Sequence, residues 1–334
     1  MKVFIFLVLS SSLLTASSMS WITCWVGLEI NLLAFLPLMG HSKDNLSTEA
    51  MTKYFITQSM ASMLLIFSIL LTTFPKFYKT VEPSTFMFLA LSLKLGLVPF
   101  HFWLPETASG LSWKINFILM TWQKLAPFSL IMNILISTPM KMIALTAVSS
   151  SITGSLMGNN QTCLRKMMSF SSINHLGWML SASMCSNKTW LIYYLTYSIL
   201  NLNIMIPLSK MKIFYFHQLI KFNLKPLTYK ISFLINFLSL SGLPPLFGFF
   251  PKWITIYSLV MLNFNFMALS LILSTLMAIY FYLQFTFSSL ILMSSTTKTP
   301  SYPYFSYNNY NFMSYSAMSM SMNFSLIFIY LFYL

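Results

Sequence analysis

The stretch Ser84-Thr85-Phe86-Met87-Phe88-Leu89-Ala90-Leu91-Ser92-Leu93-Lys94-Leu95-Gly96-Leu97-Val98-Pro99-Phe100-His101-Phe102-Trp103 decides how the chain is read. Its length suits a bilayer crossing, which takes about 20 mostly apolar residues. Lys94 falls near its middle. A charge at that depth costs roughly 2.5–3.5 kcal/mol on insertion scales. Gly96 and Pro99 follow within about a turn and a half. Proline removes a backbone donor and clashes with the preceding turn, so the helix is expected to break there. An ionisable side chain beside a broken helix at mid-membrane depth marks an ion pathway. The alternative is a lysine that snorkels to the interface. From mid-span the interface is roughly 15 Å away, beyond the reach of a lysine.

Composition agrees with a membrane chain. Of 334 residues, 57% are hydrophobic and only 7% charged. Soluble domains carry about 25% charged residues. The acidic residues are Glu29, Asp44, Glu49, Glu82 and Glu106, and the net charge is +14. The basic residues are scattered among apolar spans with no run interleaved by aromatics, which excludes nucleic acid as a partner. Cys24, Cys163 and Cys185 form no ligand pattern, so neither a metal site nor a disulfide framework is expected. The excess of Met, Phe and Tyr fits translation from an AT-rich organellar genome. Lys2, Val3–Leu14 and Ala16-Ser17-Ser18 have the outline of a secretory signal. Apolar character resumes at Trp21, so residues 3–19 are read as a retained first span.

Apolar runs predict an all-α polytopic membrane protein of about eleven spans, near 3–19, 21–39, 50–73, 84–103, 113–137, 140–158, 167–185, 189–208, 231–250 (or on to 262), 266–292 and 320–334. The longest polar connections are 209–230 and 294–316. About twelve basic residues fall at the N-terminus and after even-numbered spans, against about four on the other side, which puts the N-terminus in the positive-inside compartment. The larger set is Lys2, Lys43, Lys53, Lys114, Arg165, Lys166, Lys210, Lys212, Lys221, Lys225, Lys230 and Lys298. The smaller is Lys76, Lys79, Lys141 and Lys188. In a mitochondrion this means an N-terminus in the matrix and, with an odd span count, a C-terminus in the intermembrane space.

Lys94, Lys124 and Lys252 belong to neither set. Lys124 is central in its span, within Leu119-Met120-Thr121-Trp122-Gln123-Lys124-Leu125-Ala126-Pro127. Lys252 follows a second interrupted stretch, whose Gly242, Pro244 and Pro245 cannot sit in a regular helix interior. Lys252 is deep if the span runs on to about 262, and an interfacial anchor if it ends at about 250. Glu29 lies mid-span, either protonated and bonded to a neighbouring helix or paired with a membrane lysine.

The broken spans are the fourth and the ninth. A repeated unit of five spans has an odd number of crossings, so its second copy is inverted. Paired interrupted helices in inverted halves point to a transport site. Repeat one covers about 3–137 and repeat two about 140–292, with a further C-terminal helix at about 320–334, all in one antiporter-like transmembrane domain. The second helix of repeat two carries His175 where repeat one carries Glu29. His175 is either a proton relay, since histidine titrates near neutrality, or a packing residue bonded to Ser171 or Ser172.

Several blocks then carry a resemblance: Thr48-Glu49-Ala50, Lys53-Tyr54-Phe55, Pro99-Phe100-His101-Phe102-Trp103-Leu104-Pro105-Glu106, Thr121 to Pro127, Asn160-Gln161-Thr162, Leu164-Arg165-Lys166, Ser171-Ser172-Ile173-Asn174-His175-Leu176-Gly177-Trp178, and Gly242-Leu243-Pro244-Pro245 with Pro251-Lys252-Trp253. In this order, from about residue 20 to 290, they resemble the mitochondrial NADH dehydrogenase subunit 2 family, antiporter-like membrane subunits of respiratory complex I, in an insect-like form. The tail is dissimilar.

The resemblance implies two inverted five-helix repeats, similar to the longer bacterial subunit without its first three helices. It implies that Glu29 is the coupling glutamate, Lys94 its partner, Lys124 the central lysine and Lys252 the lysine of the second broken helix. It implies a proton-translocating subunit of the mitochondrial inner membrane that binds no cofactor itself. NADH, flavin, iron-sulfur clusters and ubiquinone belong to partner subunits, and the other expected partners are membrane-arm subunits and bilayer lipid, cardiolipin included. The residues alone would equally fit a stand-alone cation/proton antiporter or a non-pumping structural subunit.

Overall fold

The structure, a computed structural model, describes residues 1–40, 44–73, 82–224 and 227–294, with positions 317, 319–321 and 323. The chain begins with α1 (Lys2–Ser17), α2 (Trp21–Met39), α3 (Asn45–Thr73), α4 (Pro83–Leu95), α5 (Trp103–Gly110), α6 (Trp113–Met120) and α7 (Trp122–Ile134). The chain continues with α8 (Met140–Met157), α9 (Leu164–Cys185), α10 (Asn187–Met211), a 3-10 helix (Phe216–Leu224), α11 (Leu227–Ser241), α12 (Phe249–Met261) and α13 (Asn265–Ser294). An isolated bridge between Cys163 and Tyr215 ties the start of α9 to the connection after α10.

Helices occupy the first ten expected stretches, but several of these are not single helices. By length and composition, α2, α3, α10 and residues 265–291 of α13 can each cross a membrane unbroken. The stretches at 113–137 and 231–262 are each built from two short helices in series, and the one at 84–103 is α4 followed by an irregular turn that leads into α5. The break between α6 and α7 corrects the reading of 113–137 as one helix. It falls at Thr121 (φ −116°, ψ −75°). Pro127 lies inside α7, where it withholds an N–H from the carbonyl of Gln123 one turn earlier.

The other two breaks share one cause. Gly96 (φ 77°) and Gly242 (φ 82°) both adopt the left-handed conformation that other residues enter only at a cost of about 1–2 kcal/mol. At Gly96 this closes α4 in a paired turn, with Leu97 N–H donating to Ser92 O at 3.0 Å and Gly96 N–H to Leu93 O at 3.2 Å. At Gly242 the matching bond runs from its N–H to Ser239 O, 3.0 Å.

The bundle is assembled around α9, which is buried along most of its length and meets α5, α8, α10 and α12. Its contact with α8 is unusually close. A Cβ at Gly177 would lie 2.5 Å from Ala147 O, and one at Gly154 2.5 Å from Asn174 N. Small residues permit this approach where lipid gives no hydrophobic drive to helix pairing. Likewise α1 packs along α2 over Gly27, and Trp122 Nε1–H donates to Ser12 Oγ at 2.9 Å. The first helix is thus part of the bundle.

Buried apolar side chains form two separate clusters. One takes Ala34–Met39 of α2, Tyr54 of α3, Leu119 and Met120 of α6, Ile173 of α9 and Leu200 of α10. The other takes Leu28, Leu65, Ala126, Leu176 and Tyr197 of the same crossings. Along each crossing the division falls at one level, and that level carries Glu29, Gln58, Lys124, Asn174 and His175.

The segment 295–316 and most of the expected eleventh span lie outside the described residues, as do Lys43, Lys76, Lys79, Lys225 and Lys298. From that tail, buried Asn323 Nδ2–H donates to Asn236 Oδ1 on α11 at 2.7 Å.

The close α8–α9 contact gives a prediction. Gly177→Val should destabilise the bundle by about 1–3 kcal/mol through overpacking and lower the amount of assembled complex. Native gels with quantification of this subunit check it.

Candidate functional site

All the ionisable side chains singled out above lie inside the bundle. Lys124, Lys252, His175 and Lys94 are 2%, 4%, 5% and 7% exposed. Glu29 is half-buried, and its Oε1 is fully buried with no hydrogen-bond partner among the described residues.

Lys94 occupies the last turn of α4, immediately before the Gly96 cap. Two side chains reach carbonyls at this end of α4. Trp103 Nε1–H donates to Leu93 O at 3.1 Å, and Gln58 Nε2–H donates to Lys94 O at 3.2 Å. The Lys94 ammonium itself is within Coulombic reach of Glu29. The two do not touch: among the described residues the one ion pair within 4.0 Å is Lys53–Glu106, at 2.6 Å. Lys94 instead lines a cavity of about 20 Å³ shared with Asn31, Gln58, Gln123 and Lys124. A space of roughly 10–15 Å³ is enough for one water. Asn31 and Gln123 close one wall through a reciprocal amide pair of 2.9 and 3.0 Å.

Lys124 stands on the first turn of α7, set by the Thr121 break and Pro127. Its ammonium donates to Tyr197 OH at 3.1 Å and to Ser172 O at 3.5 Å, and lies 4.7 Å from the centre of the Tyr197 ring. The Tyr197 ring is 5.1 Å from that of His175. The His175 Nδ1 shares a 2.9 Å hydrogen bond with Tyr193 OH. The partner of His175 is therefore Tyr193, while Ser171 and Ser172 donate to Met168 O and Ser169 O. His175 is within Coulombic reach of both Lys124 and Lys252.

Lys252 is buried within the protein, and the helix that carries it runs on to Met261. It lies on the first turn of α12, past the second break, and its ammonium reaches back to Ser241 O at 2.7 Å. A carbonyl at a helix C-terminus is a natural partner for a cation. The ammonium also lies 5.9 Å from the Trp178 ring, which stacks on Tyr193. The order is therefore Glu29, Lys94, the polar cavity, Lys124, Tyr197, His175 with Tyr193, then Lys252.

Sequence reasoning named the charges but not the groups between them. Tyr193 and Tyr197 stand at i and i+4 on α10, so both face one way, a signal open to reading. Gln58 offered only its polarity within an apolar helix. Among the described residues no group of three or more His, Cys, Asp or Glu could hold a metal ion, and the three cysteines are free.

Comparison with known proteins agrees with this architecture. The family described as "NADH:quinone oxidoreductase/Mrp antiporter, TM" matches residues 18–278. The NADH-ubiquinone oxidoreductase chain 2 of Anopheles gambiae is 42% identical over 290 residues, 84% of this chain and 83% of that protein. The Xenopus laevis chain 2 is 41% identical over 281 residues, 81% of each. Among solved structures, a chain of respiratory complex I from Thermus thermophilus superposes with a TM-score of 0.81 at 22% identity, covering 96% of this chain and 76% of that one. A chain of the Mrp complex from Dietzia gives 0.75 at 15%, covering 84% and 59%. At such identities what is shared is the fold. The relatives and the family match together establish that this chain belongs to the NADH-ubiquinone oxidoreductase chain 2 family of antiporter-like membrane proteins.

Proposed function

We propose that the chain is a proton-translocating subunit in the membrane arm of NADH:ubiquinone oxidoreductase, with Glu29, Lys94, Lys124, His175 and Lys252 as its relay. The observation that carries this reading is the continuous polar level, lysine to lysine, between two apolar clusters. Buried intramembrane charges are costly and are kept where they move ions.

In this mechanism Glu29 and Lys94 form a switchable pair. A lysine surrounded by protein gives up its proton more readily than one in water, and an approaching carboxylate makes it hold on. When Glu29 withdraws, the Lys94 proton passes through the cavity to Lys124. Tyr197, His175 and Tyr193 supply hydroxyl and imidazole groups able both to give and to accept a proton on the way to Lys252. Transfer against about 200 mV requires roughly 5 kcal/mol per proton. Nothing in the relay generates that energy, so it arrives from partner subunits that hold NADH, flavin, iron-sulfur clusters and ubiquinone.

Two inverted five-helix repeats are part of the proposal. The pairing of α1 with α2 recurs in α8 with α9, and the Gly96 break recurs at Gly242. The basic residues and the relatives support placement in the mitochondrial inner membrane, N-terminus in the matrix and C-terminus in the intermembrane space. Neighbours are then other membrane-arm subunits and anionic lipid such as cardiolipin. The fold shared with a chain of the Mrp complex favours one other reading, a stand-alone cation/proton antiporter. Cation exchange by the purified chain alone in vesicles would support that reading instead.

Lys124→Ala and Glu29→Ala should each lower proton pumping and quinone reduction while leaving assembly largely intact. Normal coupled activity in both variants overturns the relay. Lys94→Met should reproduce the Glu29→Ala phenotype in the same proteoliposome assay. Gly242→Ala tests the second break. Its new Cβ would meet the Lys252 Nζ at 2.8 Å, on a backbone strained by its positive φ. Pumping per NADH should fall towards that of Lys252→Met, and a wild-type ratio would count against a role for Lys252.

A further inference from the structure

Where α6 meets α10, an open groove of about 270 Å³ runs between the two helices. Phe117 and Ile118 of α6 and Leu202, Met205 and Ile206 of α10 make its walls apolar. One end differs. Lys114 lines it from the first turn of α6, and Ser209 from the last turn of α10. Lys210 stands four residues after Ile206, in that same last turn, and Lys212 caps the helix. The two helix ends are tied together there, because Trp113 Nε1–H donates to Ile213 O at 2.8 Å. Lys114 is exposed, and among the described residues it has no carboxylate within 4.0 Å. We propose that this groove is a binding site for an anionic phospholipid, with one acyl chain between α6 and α10 and the phosphate at Lys114.

Depth and charge select this occupant. Lys114 precedes Lys124 by ten residues. Ten helical residues rise about 15 Å, roughly half the thickness of a hydrocarbon core. With Lys124 at mid-depth, Lys114 stands at the level of the headgroups, on the side where the basic residues collect. From Ser209 to Leu202 the groove extends roughly 10 Å inward, along the direction of a lipid tail. Its apolar walls by themselves select nothing, because lipid tails are as apolar as they are. Selection comes from the mouth. Basic pockets between transmembrane helices on the matrix side hold anionic headgroups. A helix of a neighbouring subunit, about 10–12 Å across, would cover this cleft rather than fill it. The lipid would also touch both crossings that hold Lys124, since α6 leads into the Thr121 break and α10 carries Tyr197.

This site deepens the lipid contact proposed above and rests on that membrane placement, not on the relay. The complex is reconstituted in vesicles with phosphatidylglycerol or phosphatidylcholine carrying a photoactivatable diazirine in one acyl chain. Labelled residues are mapped per assembled complex. Phosphatidylglycerol should label Ile118 and Ile206 several-fold more than phosphatidylcholine does. The exposed face of α13, at Leu269, Leu273 and Leu276, should show no preference. Lys114→Gln should cut the phosphatidylglycerol labelling of the groove about fivefold, the factor that one lysine near an anionic surface commands. Lys188→Gln, exposed at the other end of α10, should leave it unchanged. Leu202→Trp, which fills the groove from an exposed position, should remove its labelling by both lipids. Raised ionic strength should weaken the preference in the unaltered complex, and a salt-independent preference overturns the headgroup contact. Equal labelling by the two lipids, or Lys114→Gln without effect, reduces the groove to ordinary bilayer contact and overturns the site. An equal loss in Lys188→Gln assigns the effect to general surface charge and also overturns it. A groove protected from both probes while α13 is labelled means that another subunit covers it, which overturns the site and leaves the membrane placement standing. No labelling anywhere, α13 included, removes that placement and the site with it. Proton pumping measured in the same vesicles bears on the relay alone.

Discussion

An ammonium group inside a membrane is the constraint to which the rest of this fold answers. Lys94, Lys124 and Lys252 are each nearly sealed from the surroundings. Each needs polar company that a regular helix cannot offer, since a helix consumes its own carbonyls. The chain meets this by interrupting the three crossings that carry lysines, at Gly96, Thr121 and Gly242. Helix breaks are tolerated at membrane depth only where protein surrounds them, and here α3, α9 and α10 provide that surround.

Much of this was legible in the residues. Lys94 with Gly96 and Pro99, and Lys252 with Gly242, Pro244 and Pro245, state both a charge and a reason for the helix to stop. The Thr121 break was harder to read. Its only marker is Pro127, six residues on, and a lone proline within an apolar run commonly kinks a helix without ending it. The partners of the charges were harder still. Tyr197, Tyr193 and Gln58 lie far along the chain from the groups they touch, and contact at such separation is a property of packing. His175 shows the same limit. Its local serines satisfy themselves on their own helix, and its partner comes from α10.

The two ends of the row differ in kind. Lys252 is held by a backbone carbonyl and flanked by aromatic faces, while Lys94 has a carboxylate within reach and a cavity beside it. An engaged cation suits a place where charge comes to rest, and an unengaged one suits a place where it is redirected. The two breaks thus hold their lysines differently, one against a backbone carbonyl and the other beside a cavity.

The division of the apolar interior into two clusters has an electrical consequence. Each cluster acts as a dielectric slab, one above the lysine row and one below. Charge can shift along the row, in the plane of the membrane, far more cheaply than across either slab. If the row carries protons as proposed, it does so with an apolar cluster on either side. Under the proposed relay, protons passed along the row would have no low-energy route through either cluster.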